Sequence, residues 1–241
     1  MLDKEAIVKK VRGLLEYEPR VNLHRYPIAI DVAEGAVVLE GEVQDIAAKK
    51  LALELAATVD GIRGVVDRLR VVPAERRGDG AIRDSVCRFL SGAPELRNCT
   101  IRVQVKGAVE TLRDICGEGA GEIEVAIQDG VITLDGTVIS LSHKRVAGVL
   151  AWWTPGCRDV VNSLGVMPPE EDNEEEVADA LRLVLEMDPL VQSDRISAQA
   201  RDFVITLEGE VRTEAERRRA ELDAWAIFAV DKVVNKLEVR A

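Results

Sequence analysis

The sequence predicts an α+β protein of three tandem α-β-β-α-β units, each with two helices on one face of a small three-stranded mixed sheet. Three markers predict it, and each recurs three times in the same order. The first is an alternating run that ends Gly-x-Val: Gly35-Ala-Val-Val-Leu-Glu-Gly41-Glu-Val43, Gly130-Val-Ile-Thr-Leu-Asp-Gly136-Thr-Val138, and Phe203-Val-Ile-Thr-Leu-Glu-Gly209-Glu-Val211. The second is a closing Val-Val-x-x-Leu that starts 24 residues after the second glycine in every copy, at Val65, Val160 and Val233. The third is an aliphatic residue twelve positions before a proline: Ile7/Pro19, Ile82/Pro94 and Val177/Pro189. A fixed period of several markers is the signature of repeated supersecondary units.

The markers divide the chain into units at 1–73, 78–168 and 172–241. Pro73-Ala-Glu-Arg-Arg-Gly-Asp-Gly80 and Pro168-Pro169-Glu-Glu-Asp-Asn173 read as linkers. From the proline to the second glycine the copies span 22, 42 and 20 residues, so the second carries an insertion near 98–121. Ile101-Arg-Val-Gln-Val105 alternates like a strand, and Gly117-Glu-Gly-Ala-Gly121 reads as a flexible exit from an extra strand or hairpin.

Each unit opens with a helical pattern. Residues 3–16 stop before Pro19. In the third copy Asn173 caps, Glu174, Glu175 and Glu176 occupy the first turn, and Val177, Leu181, Val184 and Leu185 form the apolar stripe. A hairpin follows. Residues 26–32 and 36–43 flank Ala33-Glu34-Gly35, and residues 123–128 and 131–138 flank Asp129-Gly130, a two-residue turn signal. The third copy has Asp202-Phe203 there, which predicts a different turn.

The second helix starts at cap residues Asp45, Ser140 and Thr213, and Thr213 with Glu216 reads as a capping box. Alanine pairs Ala52/Ala56, Ala147/Ala151 and Ala220/Ala224 lie four apart on one face, which lets the helix approach the sheet. Gly61 and Gly156 fit its C-terminal cap, with Ala229 in the third copy. The last strand lies at 65–71, 160–166 or 232–239, and a right-handed crossover makes it parallel to the hairpin's second strand. Units of about 70 residues are marginal alone, so the three are expected to pack together.

This arrangement resembles the BON domain, named for bacterial osmotic-stress and nodulation proteins. The carrying residues are the glycine-framed strand (Gly35, Gly41, Gly130, Gly136, Gly209), the alanine-bearing second helix, and the closing Val-Val-Asn-x-Leu with Asn162 and Asn235. Asp67 replaces that asparagine in the first copy. The resemblance covers nearly the whole chain except the linkers and the insertion. It implies small non-enzymatic modules, often in tandem, that bind phospholipid or other hydrophobic surfaces and support envelope integrity under stress.

Composition narrows the chemistry. The chain has 241 residues, a net charge of −11, 47% hydrophobic residues and 3% aromatics. The acidity argues against nucleic acid, whose binding runs on Lys and Arg contacts to phosphate, and against simple attraction to anionic lipid. It is concentrated in the third copy: residues 1–73, 74–168 and 169–241 carry −1, −1 and −9. No signal peptide is read at the N-terminus, and the twelve uncharged residues 146–157 are too few to span a bilayer. Cys87, Cys99, Cys116 and Cys157 form no CxxC pair and read as reduced thiols, which places the protein in the cytoplasm.

No catalytic constellation is apparent. His24 and His143 read as surface or packing histidines, and Ser142 beside His143 points away from it on a helix. The acidic run at 170–176 lacks the ligand order of a calcium loop and reads as a solvated linker and helix start. Gly61-Ile-Arg-Gly64 matches the GXXG of a nucleic-acid-binding KH loop, but it joins helix to strand here and the other copies lack it. No phosphate loop, metal site or cofactor motif is found. The distinctive residues are Trp152 and Trp225, each sixteen residues after the second glycine, and their neighbour Trp153. They suit packing between units or, as surface candidates, an exposed patch that meets a partner or lipid. The expected function is a non-enzymatic module that binds a protein partner or forms a homo-oligomer, with peripheral lipid binding as the alternative.

Overall fold

The computed structural model describes residues 4–115, 117 and 120–240. The chain forms two compact units, one ending at Pro73 and the other beginning at Ala74.

The first unit runs α1 (Lys4–Tyr17), β1 (Ile28–Ala33), β2 (Ala36–Val43), α2 (Ile46–Ala57), β3 (Val65–Val71). Its sheet has the order β1-β2-β3, antiparallel then parallel. Ile7, Val11 and Leu15 of α1 and Ala48, Ala52 and Ala56 of α2 pack on Ile28, Val37, Leu39 and Leu69 of the sheet. The four-residue spacing of each stripe keeps one helix face apolar, and the alternating strands supply the opposite wall.

The second unit contains the other two repeats. The first of them runs α3 (Asp79–Gly92), a 3₁₀ turn (Pro94–Leu96), β4 (Cys99–Val105), β5 (Ala108–Arg113), β6 (Gly121–Gln128), β7 (Val131–Val138), α4 (Leu141–Trp152), β8 (Asp159–Asn162) and β9 (Gly165–Val166). The last repeat runs α5 (Glu174–Met187), a 3₁₀ turn (Ser193–Arg195), β10 (Ile196–Arg201), β11 (Val204–Val211), α6 (Glu214–Ala226) and β12 (Lys232–Val239). Its sheet repeats the first unit's order, β10-β11-β12, with β11 and β12 parallel.

The second repeat departs from the three-stranded expectation. Its sheet runs β5-β4-β6-β7-β8, with β9 beside β7. The insertion is a hairpin, and β4 extends the sheet by pairing parallel to β6. Cys99, Ile101 and Val103 of β4 are buried, so the added strand widens the same core. Arg113 ties the hairpin down: its guanidinium donates to the carbonyls of Cys99 (2.9 Å), Ser91 (3.1 Å) and Leu96. The glycine-rich exit, like Cys116 and Asp3, falls mostly or wholly outside the described residues. The closing strand, expected as one run, is split into β8 and β9.

The second glycine of each repeat has no room for a side chain. Gly41, Gly136 and Gly209 have φ of +149°, +115° and +130°. A Cβ on Gly41 would lie 2.6 Å from the carbonyl oxygen of Pro27, and the Glu122 and Arg195 carbonyl oxygens would be closer still to Gly136 and Gly209. The partner is always the residue next to the one paired with the glycine across the hairpin, so the requirement recurs with the register.

The third hairpin turn does not differ as expected. Glu34-Gly35, Asp129-Gly130 and Asp202-Phe203 all have two residues at positive φ, and Phe203 sits at +56°. A Cβ on Gly35 or Gly130 would press on the side chain of Arg63 (3.2 Å) or Arg158 (2.8 Å). The residue at that place in the third repeat is Asp231, whose shorter side chain leaves space. The backbone N–H of Arg63, Arg158 and Asp231 donates to the turn carbonyl of Gly35, Gly130 and Phe203 respectively, which holds all three tips alike. Ala229 is likewise left-handed, at +65°, where Gly61 and Gly156 stand at +84° and +92°. These residues lie past the helix C-caps, in the turn that leads into the last strand.

The closing asparagines tie that strand to the second helix. Asn162 donates to the Lys144 carbonyl (2.9 Å), and Asn235 to the Arg217 carbonyl (3.2 Å) and the Glu221 carboxylate (3.0 Å). Asp67 carries no such donor. In the first repeat the buried Lys49 bridges instead, 2.7 Å from Asp67 and 2.7 Å from the Leu69 carbonyl.

Gly209→Ala should lower stability by more than about 1 kcal/mol, because the site combines positive φ with a backbone clash. Ala229→Gly should raise it by about 1 kcal/mol by relieving a left-handed alanine. Urea unfolding of the two variants measures both; equal midpoints would contradict the account.

Candidate functional site

The three tryptophans converge on the helices of the second unit. Trp225 of α6 is wholly buried, so it offers no surface to a partner or membrane. Trp152 and Trp153 are half-buried against the core of the second repeat, as are Leu183 and Met187 of α5. Helix α4 packs on α3 within its own repeat and on α5 and α6 of the next. The helical layers of the two repeats therefore meet, and Trp153 lies in that junction.

Local sequence explains why α4 is available to both. Ser140 caps it by accepting from the His143 N–H. Ala147 and Ala151 turn toward its own sheet, and Val146, Val149 and Leu150 are also buried. From Arg145 to Ala151 every residue of the helix is buried, as a helix covered on both sides must be.

Three polar contacts fasten the junction. At the start of α4 the Glu170 carboxylate accepts from the Leu141 N–H (2.7 Å), at the positive end of the helix dipole. Arg145, with 0% of its surface exposed, pairs with Asp172 and lies 3.9 Å from Glu176. Glu170 and Asp172 are therefore engaged by α4, while Glu170 itself stays exposed to solvent as the sequence suggested. At the other end the Trp153 indole N–H donates to Asp223 Oδ1 (2.8 Å). Arg219 stacks over the Trp153 ring at 5.3 Å and its Nε pairs with Asp188 and lies 3.5 Å from Asp223.

Asp188 and Asp223 are 2% and 1% exposed. Burial pushes the Asp223 carboxyl up to about 8; the Asp188 carboxyl adds to the rise, and Arg219 and the Trp153 indole oppose it. Glu216, expected to complete a capping box on Thr213, reaches further: its oxygens accept from the Arg212 (2.9 Å) and Gln192 (2.8 Å) amides. Sequence reading missed Arg145, Asp188, Arg219 and Asp223. Each is an ordinary charge on a helix or at its end, and its partners lie far away in the sequence or across the junction.

The remaining candidates form no reactive centre. His24 is exposed. His143 Nδ1 lies 2.6 Å from Ser140 Oγ and Nε2 lies 3.2 Å from Asn98 Oδ1, and burial lowers its pKa. The Ser140 hydroxyl is committed to the helix cap, so the pair anchors α4 beside the residue before β4. Cys87, Cys99 and Cys157 are buried thiols, and burial raises Cys87 to about 11. Among the described residues no group of three or more His, Cys, Asp or Glu could hold a metal, and no helix is long and apolar enough to cross a membrane.

Comparison with known proteins fits this geometry. A family model described as BON domain matches residues 3–73, 111–168 and 173–241. The second match begins inside β5 and leaves out α3, although Ile82, Val86 and Leu90 of α3 sit in the same core as β6 and β7. No curated relative matches. Among solved structures, the C-terminal domain of CdsD, a structural protein of the type III secretion system of Chlamydia trachomatis, is 14% identical over 100% of both chains, with a TM-score of 0.26. The PrgH periplasmic domain is 9% identical over 90% of this chain and 96% of its own, with a TM-score of 0.23. Scores this low carry no argument about partner or assembly.

Trp153→Phe keeps an aromatic ring, smaller than indole, and removes the indole donor. It should cost about 1–3 kcal/mol, the range for losing a hydrogen bond to a buried acceptor. Thermal unfolding of the variant measures this, and an unchanged Tm would remove the bond from the account.

Proposed function

The chain belongs to the BON domain family, and from that premise we propose that it is a non-enzymatic interaction module which binds protein, either a partner or a second copy of itself. The observation that carries this reading is the junction itself. Here one repeat of the family recognises another through its helix face, using tryptophan, buried charge and aliphatic contact.

A second feature supports it. Strand β5 lies at the edge of the widened sheet and is exposed along nearly its whole length, with Val109 at 51% and Leu112 at 48%. An unprotected edge can accept another strand. A lipid surface would need an outward apolar patch, and of the tryptophans that suited one Trp225 is wholly buried and the Trp153 indole N–H is spent on Asp223. A part in osmotic-stress response follows from the family resemblance alone.

Sedimentation of the intact chain across a hundredfold concentration range, paired with flotation on neutral and anionic vesicles, tests the proposal. Concentration-dependent association that Leu112→Lys weakens about tenfold, or about 1.4 kcal/mol, is the expected result. A monomer at all concentrations that floats with vesicles would replace the proposal with peripheral lipid binding.

A further inference from the structure

We propose that the junction between the second and third repeats is a pH-sensitive latch, closed while Asp223 holds a proton against Asp188 and loosened when that proton leaves. The geometry carries the inference. Asp223 Oδ1 is occupied by the Trp153 indole N–H at 2.8 Å. Asp223 Oδ2 is buried and meets no donor, and Asp188 shares the Arg219 Nε with Asp223. Asp188 is itself committed: its Oδ1 accepts from the Leu190 N–H at 2.9 Å and its Oδ2 pairs with Arg219. A proton on Oδ2 removes the unpaired buried charge there. Without it, two buried carboxylates face one guanidinium that is itself 31% exposed.

The charged groups around Asp223 come from every element that packs there. Asp188 ends α5, Arg219 lies one turn earlier on α6, and α4 offers the uncharged Trp153 indole. One cation therefore faces two acids. Burying an unpaired charge is costly, so loss of the proton drives the Asp223 side chain toward water. Trp153 of α4 is bonded to Asp223, so that movement breaks its indole hydrogen bond. Opening the site thus parts α6 from the end of α4, which is the contact between the repeats.

The sign follows from linkage. Asp223 holds its proton to about pH 8 in the folded chain, against an ordinary value of 3.8. The folded state therefore binds more protons than the unfolded one between these values. Stability from this group is full below the ordinary value and is lost as pH rises toward the folded one.

Amide hydrogen exchange at the ends of α4, α5 and α6, corrected for intrinsic pH dependence, reads the latch in the intact protein. Protection there should fall about tenfold between pH 7 and pH 9. Asp223→Asn keeps an oxygen for the Trp153 indole and supplies an N–H for Asp188, so it should hold the latch closed with protection constant over that range. A wild-type chain with no change in protection, or an asparagine variant that keeps the transition, overturns the proposal. Should the variant not fold, carboxyl carbon resonances of the wild type decide: an aspartate titrating near pH 8 supports the latch, and its absence overturns it.

Discussion

Each repeat depends on one close approach between backbones. The second glycine of the hairpin lies against the carbonyl of the residue before its cross-strand partner, at a distance no side chain allows. That contact fixes the hairpin register, and the register decides which residues face the helices. Ile205 and Leu207 turn inward in the third repeat because Gly209 sits opposite Ile196, and the matching pairs do the same work in the other two. The alanine pair of the second helix then fits closely on that face, and the closing Asn or the Lys49–Asp67 pair locks the last strand to it. Three sequences that differ in most positions thus converge on one unit.

What separates the repeats is the outer side of the second helix. At equivalent places the first repeat carries Glu54, Ala57 and Thr58, all exposed, and the second carries Val149, Trp152 and Trp153. The third carries Leu222, Trp225 and Ala226. The apolar versions belong to the two repeats whose helices meet in one compact unit. The polar version belongs to the repeat that forms a compact unit by itself. A small domain with one modest core gains most by burying a second face, and the tryptophans supply that area.

The fold was largely legible in the sequence because its constraints are local and repeated. Glycine spacing, cap residues and alanine pairs each act within about thirty residues, and repetition distinguishes them from chance. The insertion's strand was visible in the alternation at 101–105, although its pairing parallel to β6 was not, since pairing partners are a property of topology. The turn at Asp202-Phe203 was misread because the glycine rule was applied to the turn alone. The residue that frees the space, Asp231, lies 28 positions away. The junction was the least legible part. Trp153 and Asp223 are 70 residues apart, and nothing in either segment reports that the other covers it.

The central claim is that the second and third repeats are one cooperative body held through their helix faces. Native-state hydrogen exchange of the wild-type chain tests it most directly, by comparing the core amides of β7 and β11. Cooperative units exchange through a common opening, so both strands should report the same opening free energy, within about 1 kcal/mol. Opening energies that differ by several kcal/mol would mean that each repeat unfolds alone, and the junction would then be a contact between independent domains.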